Sequence, residues 1–269
     1  MDAFEALLLG IVQGLTEWLP VSSSGHLVIV EEMLKLHASE YIVFDLVVHL
    51  GTLLAVTFYF RKELGSIVKA LVTPKDARDA RSEGLRRLGL LLLVALIPIG
   101  VVGVILTDNV QAIFNIGHVG LALVMNGVLL LIFERFGSHG KKRQATLSDA
   151  VAIGICQAVS IIPGISRSGT TLGGGMMAGL ERETAAVFAF LLSVPTLGAA
   201  FAYGALTLDY HQLDLLSATI GFAAAFLTGL ASIDLFLRSI RARKLWVFAI
   251  YCFGLGAATM VAAHFLYAT

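Results

Sequence analysis

The chain has 269 residues, 57% of them hydrophobic and only 14% charged, with no formal net charge and a mean hydropathy of +0.86. Soluble domains carry about 25% charged residues, so a soluble globular fold is excluded. A nucleic-acid partner is excluded too, for want of a basic patch. The two cysteines, Cys156 and Cys252, both lie in apolar segments and read as buried thiols, not a disulfide framework.

The chain opens on AFEALLLGIVQGL, flanked by Asp2 and carrying Glu5 where a signal peptide would be basic. A segment that crosses a bilayer stays apolar for about 20 residues, yet this one breaks at TEWLPVSSSGH (16–26). Residues 3–37 therefore predict a re-entrant helix–loop–helix hairpin. Spans follow at 41–60, 88–106 and 115–134. A second interrupted segment, 147–180, breaks at SIIPGISRSGTT and predicts a second hairpin. Three more spans follow at 183–206, 214–237 and 245–267. The predicted fold class is an all-α polytopic integral membrane protein, one membrane domain over 1–269, with six transmembrane helices and two re-entrant hairpins.

Charge placement supports that count. Segment 61–87 holds eight Lys/Arg, and 135–145 and 238–244 hold four each, while 107–115 and 207–214 hold none. Six crossings put all three basic segments on one side, the cytoplasmic one by the positive-inside rule, with both termini outside.

The two interrupted segments are copies. At an offset of 144, GIVQGLTEWLPVSSSGH (10–26) lies over GICQAVSIIPGISRSGT (154–170), matching Gly10/Gly154, Gln13/Gln157, Ser22/Ser166, Ser24/Ser168 and Gly25/Gly169. Repeat A covers 1–137 and repeat B 146–269. Each hairpin is followed by three spans, an odd number, so the copies are expected to insert with opposite orientation, an inverted-topology repeat whose loops meet in one site.

The loop contents suggest the chemistry. Gln13 and Glu17 share a helix face, and Pro20 ends that helix. Ser22, Ser23, Ser24 and Gly25 open the next helix, whose amides and dipole favour an anion. His26 follows within expected reach of the Ser22 or Ser23 hydroxyl. In the second loop Ser166, Arg167, Ser168, Gly169 and Thr171 repeat the device. Arg167, deep in an apolar stretch, costs about 3 kcal/mol on insertion scales, and its fork suits phosphate oxygens. Glu17 is either a buried partner of Arg167 or a ligand for a hard divalent cation, Mg²⁺ or Ca²⁺. The serines serve as caps and packing residues on the plainer reading. His49 and Asp45, within a span, are candidate cavity residues.

These residues resemble the bacterial undecaprenyl-pyrophosphate phosphatases of the bacitracin-resistance type. The signatures are Gln13-x-x-x-Glu17 running into PVSSSGH, and PGISRSGTT (163–171). FDLVVHLGTLLAV (44–56), GLERETAAVFAFLLSVP (179–195) and FAIYCFGLG (248–256) extend the similarity over nearly the whole chain. Gln13 stands where many members carry a second glutamate, and Cys252 where an arginine is expected.

The resemblance implies a multi-pass protein of the bacterial cytoplasmic membrane with its site open to the outer face. Its implied activity is hydrolysis of undecaprenyl pyrophosphate, a polyprenyl lipid substrate drawn from the bilayer. That reaction recycles the carrier for peptidoglycan synthesis and gives bacitracin resistance. The loop contents suggest a catalytic set of Glu17, Ser23, His26 and Arg167, with Ser23 as nucleophile and His26 as its base, or His26 itself as nucleophile and Ser23 a phosphate ligand. Ser22, Ser24, Gly25, Ser166, Ser168, Gly169 and Thr171 form the phosphate cradle. Glu17, with Gln13, would hold Mg²⁺ or Ca²⁺ or orient His26. The resemblance leaves room for a homodimer. The rival reading is a lipid-phosphate or anion transporter built on the same repeat.

Overall fold

The computed structural model describes residues 1–36, 38–77, 79–113, 116–137, 139–208, 210, 211 and 213–267. It includes their side chains except at 38–40, 106–113, 266 and 267. Every element among the described residues is helical. In chain order they are α1 (Ala3–Trp18), α2 (Ser23–Leu34), α3 (Ala38–Tyr59), α4 (Arg61–Val72), α5 (Ala80–Ile113) and α6 (Ile116–Phe136). After these come α7 (Leu147–Ala158), α8 (Arg167–Met177), α9 (Arg182–Thr207), α10 (Leu215–Arg241) and α11 (Leu245–Tyr267).

Six of them, α3, α5, α6, α9, α10 and α11, contain stretches long and apolar enough to cross a membrane. They match the six expected spans. Their outer faces expose large apolar side chains, among them Ile97, Val104, Leu206, Leu227 and Phe265, as lipid contact requires. Helix α5 departs from expectation, running from Ala80 through 107–113, a stretch expected to be a connection. No glycine or proline between Gly103 and Gly117 stops it. Residues 114, 115, 209 and 212 of the two uncharged connections lie outside the described residues. The basic segment 61–87 likewise holds a helix, α4, which buries Ile67 and Ala70.

Helices α1, α2, α7 and α8 have 16, 12, 12 and 11 residues. At about 1.5 Å per residue each falls short of a hydrocarbon core roughly 30 Å thick. The chain breaks between them at 19–22 and, after a 3₁₀ turn at Val159–Ile161, at 162–166.

The 144-residue correspondence extends well beyond the two loops. Asp2 caps α1 in a capping box with Glu5, and Thr146 caps α7 in one with Asp149. Gln13 Nε2 donates to Thr52 (3.5 Å), and Thr196 donates to Gln157 Oε1 (3.3 Å). Packing follows the same order. Helix α1 lies against α10 and α7 against α5, while α3 meets α9 and α6 meets α11.

Small residues let α1 approach α10. A Cβ on Gly10 would collide with the Gly221 carbonyl, and one on Gly14 with the Thr228 hydroxyl and, at 2.6 Å, the Ala225 carbonyl. Ser232 adds a hydrogen bond across the seam to the Gly14 carbonyl, at 2.7 Å. Gly14→Val is expected to force the helices apart at a cost of about 1–3 kcal/mol or more. A lowered thermal midpoint in detergent would report it.

Candidate active site

Glu17 ends the last full turn of α1, 4% exposed, and both of its oxygens are engaged. Oε2 accepts from Ser23 Oγ at 2.5 Å and from Gln13 Nε2, one turn back, at 2.9 Å. Oε1 accepts from an Arg167 guanidinium N–H. Ser23 and Arg167 are the first residues of α2 and α8 and stand 144 apart. Equivalent positions of the two copies thus take the two oxygens of one carboxylate.

Both loops cap their second helix alike. Ser22 Oγ accepts from the Gly25 amide (3.3 Å) and Ser166 Oγ from the Gly169 amide (3.1 Å). The Ser24 and Ser168 hydroxyls lie beside them, at 3.3 and 3.0 Å. Those two glycine amides are therefore occupied by the caps. Glycine there also lets the loops touch, since a Cβ on Gly25 would meet Gly164 Cα at 3.2 Å and one on Gly169 would meet Pro20 at 3.3 Å. Asn126 clips the loops together. Its Nδ2 donates to the Pro20 carbonyl (2.9 Å) and its Oδ1 accepts from the Ser166 amide (3.0 Å).

A cleft of about 250 Å³ opens in front of this centre, lined by Glu17, Ser22, Ser23, Ser24, Ser166 and Arg167. His49, Ser160, Thr196, Ile99, Ile165, Leu197 and Ala200 complete its wall. Of the expected phosphate cradle, Ser22, Ser24 and Ser166 line it. Ser168 instead donates to the Leu19 carbonyl (3.0 Å) and Thr171 to the Arg167 carbonyl (2.7 Å). Behind Glu17 the site is floored by aromatic rings. Phe190 stands 5.6 Å from Trp18 and 5.5 Å from both Phe60 and Phe236, centroid to centroid.

The expected bond between His26 and a neighbouring serine hydroxyl is not formed. His26 Nδ1 donates to the Ser22 carbonyl (2.7 Å), which can only accept, so the neutral ring's Nε2 accepts from the Tyr251 hydroxyl (2.7 Å). The ring also stacks on Tyr251, at 5.6 Å between centroids. Both nitrogens are thereby committed, and Ser23 turns to Glu17 instead. Ser22 has φ 69°, ψ 96°, a left-handed backbone unusual for serine, whereas Ser166 is extended. The His26 hydrogen bond is made to the carbonyl of this bent residue, next to Ser23. His26→Ala is expected to lower kcat with little change in KM, as for a positioning residue. Steady-state kinetics on the lipid substrate check it.

Sequence reasoning missed Asn126, although a lone amide within LVMNGVLLL is the kind of intramembrane polar residue that signals a role. Tyr251, 225 residues from His26, had no local signal.

For a divalent cation, the donors that α1 offers are the Glu17 carboxylate and Gln13 Oε1, a buried acceptor without a hydrogen-bond partner. Among the described residues no group of three or more His, Cys, Asp or Glu could hold a metal. The donors therefore fit a cation that completes its shell with phosphate oxygens, and not a preformed protein cage.

Fold and site together define a helical, multi-pass membrane protein with a buried carboxylate–serine–arginine centre. The family described as Bacitracin resistance protein BacA matches residues 6–258. The chain belongs to that family. It is similar to the undecaprenyl-diphosphatase of Desulforapulum autotrophicum, with 38% identity over 97% of this chain and 99% of the relative. The protein of the same name from Carboxydothermus hydrogenoformans is 37% identical over 97% of each chain. Undecaprenyl-diphosphatase 1 of Shouchella clausii is 36% identical over 94% of each.

Proposed function

We propose that this protein is an undecaprenyl-diphosphatase. It hydrolyses undecaprenyl pyrophosphate to undecaprenyl phosphate and inorganic phosphate, returning the carrier to peptidoglycan synthesis and supporting bacitracin resistance. The observation that carries the reading is Ser23 Oγ and Arg167 on the two oxygens of Glu17, at the back of a serine-lined cleft.

In this mechanism Glu17 Oε2 takes the Ser23 proton as Oγ attacks the terminal phosphorus. The phosphoanhydride P–O bond breaks and undecaprenyl phosphate leaves. The departing lipid phosphate takes that proton from Glu17, whose Oε2 then deprotonates the water that attacks the phosphoserine phosphorus, and the proton returns to Ser23 Oγ as orthophosphate is released. Arg167 has five donors. Those not engaged by Glu17 stabilise charge on the transferring phosphoryl group, the largest contribution expected in such chemistry. Ser22, Ser24 and Ser166 hydroxyls hold the remaining oxygens. A Mg²⁺ or Ca²⁺ ion bound by Glu17 and Gln13 would neutralise charge on the pyrophosphate.

The architecture we infer is an inverted-topology repeat with two re-entrant hairpins, forming one domain. It is supported by the 144-residue correspondence of caps and contacts and by the reciprocal packing of α1 on α10 and α7 on α5. The basic segments face the cytoplasm and both termini the outside, in the cytoplasmic membrane of a bacterium. Ile99, Leu197 and Ala200 belong to the halves of α5 and α9 remote from the basic segments, which supports an opening to the outer face. A transporter would need a path onward past Trp18, Phe60, Phe190 and Phe236, which pack together behind the site.

The test is phosphate release from undecaprenyl pyrophosphate by the purified protein. Wild type is expected to release phosphate and Ser23→Ala is not. Release retained in the variant removes Ser23 from the mechanism. Lipid translocation by the wild type without release favours the transporter.

A further inference from the structure

His49 lines the cleft from α3, a residue the proposed mechanism leaves unused. Its Nδ1 lies 2.7 Å from the Asp45 carbonyl oxygen. A carbonyl only accepts, so Nδ1 carries the hydrogen and Nε2 is the ring nitrogen left for a ligand. That nitrogen is 3.9 Å from Glu17 Oε2, too far for a hydrogen bond. The side chain is 28% exposed, open to the cleft.

A ring with Nδ1–H pinned by a backbone carbonyl and Nε2 left open is the usual state of a metal-bound histidine, whose second nitrogen is fixed by an outer partner. Ligand nitrogens and oxygens stand about 2.0–2.2 Å from a first-row divalent ion, so one ion can touch two donors 3.9 Å apart. Gln13 Oε1, the partnerless buried acceptor one turn before Glu17, faces the same problem of an unused lone pair.

We propose that His49 Nε2 is a third protein ligand of the divalent cation, beside Glu17 and Gln13. This rests on the reading of Glu17 and Gln13 as cation ligands. An imidazole in the shell weighs against Ca²⁺, which favours an all-oxygen shell, and toward smaller ions that accept nitrogen beside oxygen, Mn²⁺ among them. Gln13, where many relatives carry glutamate, removes a charge from the shell, and the histidine supplies a stronger neutral donor in partial compensation.

Mn²⁺ with inorganic pyrophosphate, added to the full chain in detergent after removal of any purification tag, is the probe. Electron spin-echo spectroscopy of the bound ion reads directly coordinated imidazole nitrogen, independently of turnover. The expected result is a ¹⁴N modulation in the wild type, lost in His49→Gln while bound Mn²⁺ persists, and no bound Mn²⁺ in Glu17→Gln. Glu17-dependent Mn²⁺ binding with no imidazole modulation in the wild type overturns the role of His49 and leaves Glu17 as a ligand. A wild type that binds no Mn²⁺ even with pyrophosphate overturns the cation reading itself, and His49 with it.

Discussion

Arg167→Ala is expected to lower kcat by about 10³- to 10⁵-fold, the range found when an arginine is removed from a phosphoryl-transfer site. The substitution acts in two ways. It withdraws the only guanidinium lining the cleft among the described residues, and it leaves Glu17, whose side chain is 1% exposed, without the Arg167 counter-charge. Arg167→Lys is expected to recover part of the rate, because a point charge remains while the planar fork that can serve carboxylate and phosphate together is lost. Single-turnover phosphate release separates these effects from substrate binding. Equal rates for wild type and Arg167→Ala would take the arginine out of the chemistry.

Glu17→Gln is expected to lower kcat by about 10²- to 10⁴-fold, the usual contribution of a positioned general base. It also exposes the structural side of the same residue. Breaking a buried ion pair by removing one partner costs about 3–5 kcal/mol. The lower end applies here, because the Arg167 side chain is 18% exposed to the cleft and can draw on water. The thermal midpoint should therefore fall in Glu17→Gln and recover partly in Glu17→Gln/Arg167→Gln, where no charge is left unpaired. Activity should recover in neither. A double variant that regained activity would show that Glu17 serves only to neutralise Arg167.

Much of the architecture could be read from the chain, because the membrane imposes long-range order on local composition. Uninterrupted apolar length located the six spans, and Pro20 and Pro163-Gly164 located the breaks. The repeat offset brought Ser23 and Arg167 into correspondence before any coordinates did. The failures are those of residues whose partners lie across the bundle. His26 is one short turn from Ser23, yet the left-handed Ser22 backbone turns the serine back toward Glu17 and leaves the imidazole to Tyr251. No spacing rule encodes that bend. The helical end of α5 differs for the opposite reason, since the apolar run ends at 106 while no glycine or proline stops the helix there. The paired capping boxes, Asp2/Glu5 and Thr146/Asp149, are legible at the same offset, each a polar pair where an apolar run begins.

The aromatic floor of Trp18, Phe60, Phe190 and Phe236 backs the cleft on the side behind Glu17. In the proposed orientation a pyrophosphate enters from the outer face and orthophosphate leaves by the same side. Orthophosphate is then delivered outside the cell, and the energy of the cleaved anhydride is spent there without being coupled to movement across the bilayer. On that reading, bringing the monophosphate lipid back to the inner leaflet is a separate event.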